Sequence, residues 1–310
     1  MTLGVVFPGQ GSQRVGMLEE AAGAFSVVRE TFSEASDALG YDMWALVSQD
    51  AGARLSLTEF TQPAILTASV ALFRAFESSH SIAPVAAAGH SLGEYSALVS
   101  ARALSLYDGV RLVRARGAAM QKAVPVGEGA MAVILGLDDD VVSTVCDAVS
   151  TAEQFVGGVN FNAPGQVVIA GQTKAVENAM LALKEAGARR AMSLPVSAPF
   201  HTPLMQPAAD IMAAAFGEVD WSLPDFPVVS NVDGSLQRDP EVIKASLVKQ
   251  ISSPVMWTEC VATLGRVGCE VFIESGPGNV LSGLSKRIDK SVPIKSIESV
   301  ASIEAGLSDL

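Results

Sequence analysis

The sequence predicts an α/β protein built on a parallel sheet, with a smaller α/β unit inserted into it. Short apolar runs bounded by glycine or proline alternate with longer helical patterns, as at Leu3–Phe7 and 85–88. Between 126 and 197 the order changes to β-α-β-β-α-β, and after 198 the first alternation resumes. Strands joined through helices form parallel sheets by right-handed crossovers.

The composition supports a folded chain and excludes several classes. Of the 310 residues, 49% are apolar and 17% charged, which is enough apolar side chain for a core. No apolar run reaches the roughly 20 residues that span a bilayer, so we expect no membrane association. The net charge of −12 disfavours nucleic-acid binding.

The cysteines and the N-terminus predict a cytoplasmic protein. Cys146, Cys260 and Cys269 are odd in number and far apart, so we expect neither disulfides nor a zinc site. The first ten residues lack the basic and long apolar segments of a signal peptide, and we expect a mature chain that begins with a strand.

The first part of the chain supplies the predicted catalytic elements. Leu3–Phe7 is a buried strand stopped by Pro8. A second strand at 85–88 is followed at once by a turn at Ser91 and a helix to about Val99. A further helix covers Leu106–Lys122.

The middle of the chain predicts a ferredoxin-like unit. Strands are expected at 130–136, in "FVGGVNFN", in "QVVIAG" and in "ARRAMSLPV", with a hairpin break at 163–165. Helices are expected at 138–150 and at 173–187, the second with Thr173 as its N-cap and Gly187 at its end. We therefore predict an inserted domain at 126–197 and a catalytic domain made of 1–125 and 198–310, with further strands at 227–231, 270–275 and in "PIKSI".

Ser91 is the predicted nucleophile. "GHSLG" satisfies G-x-S-x-G and lies between a strand and a helix, which is the context of a nucleophile elbow. Its serine is exposed at the carboxyl edge of the sheet, and the helix N-terminus offers N–H donors to an oxyanion. The alternative is a serine at an ordinary N-cap.

A serine nucleophile needs a base, and the chain has three histidines. His80 lies in a polar loop pattern and is expected to be solvated, whereas His90 adjoins Ser91 on the tight turn. His201, in the proline-flanked "PVSAPFHTPLM", is the base by elimination. No motif identifies an aspartate, so a backbone carbonyl is an alternative orienting group.

Arg116 points into the apolar face of the Leu106–Lys122 helix. An arginine on an apolar face is costly unless an anion pairs with it, so Arg116 is a structural ion pair, a snorkelling side chain or a bidentate clamp for a substrate carboxylate. The loop "FPGQGSQ" after the first strand fails as a dinucleotide fingerprint because Arg14 stands where glycine is needed. It is expected to offer a backbone N–H beside Ser91.

Seven segments together resemble the malonyl-CoA:acyl carrier protein transacylases: "FPGQGSQ", "TQPA", "GHSLGEYSAL", "RARGAAMQ", "NFNAPGQVVIAG", "PVSAPFH" and "SGPGNVL". The resemblance runs in order along essentially the whole chain. It implies an α/β-hydrolase-like core with an inserted ferredoxin-like domain, and the free-standing bacterial enzyme of fatty-acid synthesis.

The resemblance also implies site roles. Ser91 is the nucleophile, His201 the general base, and Arg116 binds the malonyl carboxylate. The remaining roles are an oxyanion hole from the backbone N–H groups of Gln10 and Leu92, a histidine-orienting carbonyl at Gln250, pocket lining by Gln62 and Asn162, and selection of the acyl α-substituent by Phe200.

The implied reaction is a ping-pong transfer of malonyl from malonyl-CoA to the phosphopantetheine thiol of acyl carrier protein, without a metal or redox cofactor and by a monomer. Lys286, Arg287, Arg189 and Arg190 are candidates for carrier docking, because acyl carrier proteins are acidic. Three alternatives stay open: a thioesterase-like hydrolase, a non-enzymatic carrier-binding module, and the same chemistry in a polyketide pathway.

Overall fold

The computed structural model describes residues 1–196 and 198–308. Ser197, the last residue of the predicted inserted domain, and residues 309–310 lie outside the described residues. The strands are β1 Leu3–Phe7, β2 Ala86–Gly89, β3 Gly129–Leu135, β4 Val156–Ala163, β5 Gln166–Gln172, β6 Arg190–Ser193, β7 Val228–Val229, β8 Leu236–Gln237, β9 Val271–Glu274 and β10 Ile294–Ser296.

Helices cover the intervals between most strands. They are α1 Glu19–Ala24, α2 Ser26–Leu39, α3 Met43–Gln49, α4 Thr58–Ser79, α5 Leu92–Ser100, α6 Leu106–Lys122, α7 Asp139–Val149, α8 Thr173–Glu185, α9 Gln206–Phe216, α10 Pro240–Ile251, α11 Trp257–Arg266, α12 Val280–Ile288 and α13 Val300–Ala305. A 3₁₀ turn at Pro203–Met205 precedes α9. In the described ranges no helix is long and apolar enough to cross a membrane.

The larger sheet has the order β10-β9-β1-β2-β7-β8, and all its pairs are parallel except β7–β8. The predicted parallel core is confirmed. Both of its faces are covered, since Val5 and Phe7 pack in one apolar cluster while Val6, between them, packs in another. Parallel strands share one carboxyl edge, so the loops after β1, β2, β7 and β9 meet there.

The smaller sheet is antiparallel, with the order β4-β5-β3-β6 and with α7 and α8 packed on one side. The predicted β-α-β-β-α-β order is observed from β3 to β6. Its core is a separate cluster that includes Ile134, Val142, Ile169 and Leu183.

One strand was not predicted, and one predicted helix cap is wrong. The two-residue strand β8 adds an antiparallel edge that has no recognisable alternation in the sequence. Thr173 does not cap α8: it is the first helical residue, Gln172 holds the cap position, and the Thr173 hydroxyl donates to the carbonyl oxygen of Gly127. Gly187, with φ of 104°, does follow the helix end.

Candidate active site

Ser91 lies on a sharp turn between β2 and α5, with φ of 53° and ψ of −107°. Glycines on either side permit the turn. A Cβ at Gly89 would lie 1.8 Å from the carbonyl carbon of Gly93, and a Cβ at Gly93 would lie 2.1 Å from the carbonyl oxygen of Phe7. Any side chain at these two positions would force the backbone apart, so the glycines fix where Ser91 is presented.

His201 reaches the nucleophile from the loop that precedes α9. Its Nε2 atom lies 2.7 Å from the Ser91 Oγ atom, and its Nδ1 atom lies 2.8 Å from the carbonyl oxygen of Gln250. Because a carbonyl oxygen only accepts, Nδ1 carries the ring proton. The unprotonated Nε2 atom therefore faces the Ser91 hydroxyl and can accept its proton.

The imidazole of His201 is held neutral. Burial lowers its pKa from 6.5 to about 3, and the positive charge of Arg116 acts in the same direction. The hydrogen bond to the carbonyl of Gln250 opposes this shift. At neutral pH His201 is therefore available as a base without first losing a proton.

Arg116 extends from α6 into the same site and is 1% exposed. Its Nη1 atom donates to Gln62 Oε1 at 2.9 Å, and its Nη2 atom donates to Gln250 Oε1 at 2.8 Å and to Ser91 Oγ at 3.0 Å. The guanidinium carbon lies 5.4 Å from the ring centroid of Tyr95. All these partners are neutral, and no carboxylate of the described ranges forms an ion pair with it, so the buried cation is available to an anionic ligand.

The two expected oxyanion donors belong to different segments of the chain. Gln10 follows β1 and lines the cavity described below, and Leu92 is the first residue of α5. In the described part of the chain, neither backbone N–H has a protein acceptor. The N–H of Ser91 itself is occupied, because it donates to Asn231 Oδ1 at 2.6 Å.

A cavity of about 440 Å³ opens beside these groups. Phe200, which is 9% exposed, forms part of its wall. The polar lining comes from several elements, since Gln62 lies on α4, Arg116 on α6 and Asn160 on β4. The smaller sheet and the chain after it contribute apolar wall residues: Met131, Leu194, Pro195 and Val196.

Residues 5–309 match the acyl transferase domain family. The chain belongs to this family. Within it, the acyl transferase is 50% identical over 302 residues to the malonyl CoA-acyl carrier protein transacylase of Escherichia coli strain K12, with 97% of each chain covered. It is 43% identical over 305 residues to the enzyme of the same name from Bacillus subtilis, covering 98% of this chain and 96% of the relative.

Solved structures agree with these sequence relatives. An acyl carrier protein S-malonyltransferase from Vibrio cholerae superposes with a TM-score of 0.96 at 49% identity, covering 98% of this chain and 99% of the other. A malonyl-transacylase in complex with a type II polyketide synthase acyl-carrier protein superposes with a TM-score of 0.97 at 48% identity, with full coverage of both chains. The acyl transferase is thus an enzyme of the malonyl-transacylase family.

Asn162 does not line the cavity as expected. Its Oδ1 atom lies 2.8 Å from the Nε2 atom of His90, and it stands behind that ring, whereas Asn160 is the asparagine in the cavity wall. Register shifts interrupt β4 between Gly158 and Asn160 and between Phe161 and Ala163, so strict alternation of side chains does not hold there. Burial lowers the pKa of His90, which is therefore a neutral hydrogen-bonding group beside the turn.

Three contributions to the site of this acyl transferase were missed by sequence reasoning. Glu94 and Asn231 are buried beside the elbow, and the side chain of Gln250 joins them to Arg116. A signal existed for each of the first two. Glu94 is a charge within the apolar helical pattern after Ser91, and Asn231 follows a buried strand at the carboxyl edge.

The remaining charged candidates lie away from the cavity. His80 is not simply solvated, since its Nε2 atom lies 2.6 Å from the carbonyl oxygen of Ile303. The predicted docking residues are all exposed and form no ion pair in the described ranges. Two of them border the same turns of the smaller sheet, because the side chain of Arg189 packs at Gly136 and Arg287 donates to Gln166 Oε1.

Proposed function

We propose that this acyl transferase moves the malonyl group from malonyl-CoA to the phosphopantetheine thiol of acyl carrier protein, for fatty-acid synthesis. The observation that carries the proposal is the Arg116 guanidinium, which is buried without an anion and whose Nη2 atom is 3.0 Å from the Ser91 hydroxyl. A malonyl thioester brings a carboxylate to this place. The names of the relatives are those of malonyl transacylases.

In the first half-reaction, Ser91 Oγ attacks the thioester carbonyl and His201 Nε2 takes the hydroxyl proton. The backbone N–H groups of Gln10 and Leu92 donate to the oxyanion of the tetrahedral intermediate. The intermediate collapses to malonyl-serine when the carbon–sulfur bond breaks, and the protonated His201 returns its proton to the coenzyme A thiolate.

In the second half-reaction, the thiol of the carrier attacks the malonyl-serine ester. His201 accepts the thiol proton and then donates it to Ser91 Oγ as the ester bond breaks. Free enzyme and malonyl-carrier protein result. These steps are acyl transfers between a hydroxyl and two thiols, so the chemistry we propose needs no metal or redox cofactor.

Arg116 gives the acyl pocket its selectivity in this proposal. Its guanidinium pairs with the malonyl carboxylate in bidentate geometry, and Gln62 and Gln250 hold it in place. Phe200 limits the room for a substituent on the malonyl α-carbon. A methylmalonyl group is therefore a poorer substrate than malonyl.

The domain division is part of the proposal. Residues 1–125 and 198–310 form an α/β-hydrolase-like catalytic domain, and residues 126–197 form an inserted ferredoxin-like domain; the strand order of the smaller sheet supports the second assignment. We also propose a monomeric, cytoplasmic enzyme. Three free cysteines, all buried, suit a reducing compartment.

The carrier of a polyketide pathway is the second candidate acceptor. One structural relative is a malonyl-transacylase in complex with a type II polyketide synthase carrier. Both candidates share the first half-reaction and differ only in the carrier protein that takes the malonyl group. Competition between the two carriers for the malonyl-enzyme distinguishes them.

Mass spectrometry of the intact protein tests the shared chemistry. Incubation with malonyl-CoA is expected to add one malonyl group, and holo-acyl carrier protein is expected to remove it and become malonylated. Ser91→Ala should remain unlabelled, whereas Ser96→Ala, a buried serine of α5, should label normally. Release of free malonate as the main product would identify a hydrolase instead, and a stable adduct on Ser91→Ala would exclude Ser91 as the nucleophile.

A further inference from the structure

The backbone of Ser91 is in a conformation that non-glycine residues rarely adopt. Its φ of 53° and ψ of −107° lie outside the ordinary helical and extended regions. Such a conformation persists only where surrounding contacts hold it. The contacts that hold Ser91 are therefore part of how the hydroxyl is aimed.

Two side chains form hydrogen bonds with the peptide groups on either side of Ser91. Asn231 Oδ1 accepts the Ser91 N–H at 2.6 Å, and Asn231 Nδ2 donates to the carbonyl oxygen of Gly89 at 2.7 Å. Gln250 Nε2 donates to the carbonyl oxygen of Ser91 at 2.9 Å. The turn is thus fixed from both sides by residues of different elements.

Asn231 and Gln250 both donate a hydrogen bond to one atom of Glu94. The Oε2 atom of Glu94 accepts the backbone N–H of Asn231 at 3.1 Å and the Nε2 atom of Gln250 at 2.9 Å. Glu94 is 2% exposed and lies in the first turn of α5. Its carboxyl group does not line the acyl cavity.

The same anchor extends to the base and the guanidinium. Gln250, held by Glu94, presents its backbone carbonyl to His201 and its Oε1 atom to Arg116. Through Gln250, Glu94 is therefore connected by hydrogen bonds to the nucleophile Ser91, the base His201 and the acyl-binding cation Arg116. A carboxylate that served α5 alone would accept from the N–H groups of its own helix, whereas this one accepts from β7's loop and from α10.

We propose that Glu94 is a positioning residue for acyl transfer, which sets the aim of the Ser91 hydroxyl by anchoring Asn231 and Gln250. The proposal rests on the proposed function of the site, in which Ser91 attacks the thioester. Glu94 touches no reacting atom, and it acts through the two side chains that hold the turn.

Single-turnover kinetics test the proposal. The rate of Ser91 acylation at saturating malonyl-CoA, and the concentration that gives half of it, are measured for wild type, Glu94→Ala and Glu94→Gln. Glu94→Ala should slow the saturated rate roughly 10²-fold, the scale of a misplacement of about 1 Å, and should change the half-saturating concentration within about threefold. Glu94→Gln keeps an acceptor oxygen and should stay within about tenfold of wild type.

Glu274→Ala is the matched control. Glu274 is also a buried carboxylate at the carboxyl edge, but its two oxygens accept from Leu281 and Ser282 at the start of α12. The control should lower the thermal midpoint and leave acylation at the wild-type rate. Equal slowing in Glu274→Ala would trace the loss to general destabilisation and overturn the proposal, as would a fully active Glu94→Ala or a Glu94→Gln as slow as the alanine variant.

If Glu94→Ala does not fold, Asn231→Ala tests the same proposal. This variant should also slow the saturated rate, at least tenfold, because it removes the hydrogen bonds from the Asn231 side chain to the turn. A wild-type rate in this variant would overturn the proposal. Where both single variants fold, their combined loss should be smaller than the product of the two losses. An active wild type separates these outcomes from failure of the proposed function, which would show as no malonyl adduct in any variant.

Discussion

The Nη2 atom of Arg116 lies 3.0 Å from the hydroxyl oxygen of Ser91, and the Nε2 atom of His201 lies 2.7 Å from the same oxygen. The Ser91 hydroxyl therefore contacts both the His201 imidazole and the Arg116 guanidinium. The cation is 25 positions away in the chain and enters from the neighbouring helix α6. In the proposed acyl-enzyme, the acyl carbon bonded to this oxygen would lie within reach of a buried positive charge.

Replacing Arg116 should change substrate choice more than it changes catalysis in general. Arg116→Ala should weaken malonyl transfer by about 3–5 kcal/mol, since it removes one partner of a buried charge pair, and should affect acetyl transfer much less. Arg116→Lys should restore little, because an ammonium lacks the planar fork. The measurement is kcat/KM for malonyl-CoA and acetyl-CoA.

Arg111→Ala is the control for that comparison, since Arg111 is an exposed arginine on the outer face of the same helix. It should leave both values unchanged. Equal losses for malonyl and acetyl in Arg116→Ala would make the arginine structural.

Loss of the imidazole should slow chemistry rather than binding. His201→Ala should reduce the rate of acylation at saturating malonyl-CoA by roughly 10²–10⁴-fold, the usual effect of removing a general base. Stopped-flow or quenched-flow acylation measures it. His90→Ala serves as the comparison, and a larger loss there than at His201 would assign the base to the other ring.

Reversal of the predicted docking charges should weaken the binding of acyl carrier protein and leave the binding of malonyl-CoA unchanged. Arg189→Glu and Arg287→Glu, at the turns of the smaller sheet, should each raise KM for acyl carrier protein several-fold and leave KM for malonyl-CoA nearly constant, and the effect should shrink at high salt. Lys286→Glu and Arg190→Glu test the neighbouring candidates, with Arg111→Glu as control. Equal effects on both substrates would rule out a docking role.

The buried carboxyl group of Glu94 should make the free energy of unfolding depend on pH. Burial raises its pKa from 4.5 to about 7, although Gln250 and Asn231 donate to it. The folded state therefore binds the proton more tightly than the unfolded state. The resulting stabilisation is complete below pH 4.5 and is lost as the pH rises towards 7.

Urea unfolding of wild type and Glu94→Gln across this range measures the effect. Relative to the variant, wild type should lose up to about 1.4 kcal/mol of unfolding free energy per pH unit between 4.5 and 7. His201, with its pKa lowered to about 3, contributes with the opposite sign but is present in both proteins and cancels in the difference. A difference that does not change with pH would show that Glu94 stays ionised in the folded protein.

Much of the fold followed from local signals. The helix α6 was predicted with its observed ends because the spacing of its apolar residues is regular, and in the structure Ser105 caps its start by accepting from the N–H of Asp108. The elbow was predictable since two glycines and a strand-to-helix change fall within five residues. The roles given to Ser91, His201 and Arg116 stay predictions, although the structure brings the three side chains together.

Other features depend on contacts that no local pattern records. Which of Asn160 and Asn162 faces the cavity depends on irregular pairing of β4. Glu94, Asn231 and Gln250 come from three separate segments, and only the folded chain shows that they share hydrogen bonds. The short strand β8 exists because β7 offers it an edge, not because two residues prefer a strand.

The close packing of Gly93 on the carbonyl of Phe7 has a consequence for engineering. The elbow packs on the loop that carries Gln10 with no room for a side chain at Gly93, so this position must stay glycine in any redesign of the cavity. Another part of the wall comes from Met131, Leu194 and Val196, on or after the smaller sheet. Libraries that vary those three positions change the wall of the cavity without touching Gly93 or the turn at Ser91.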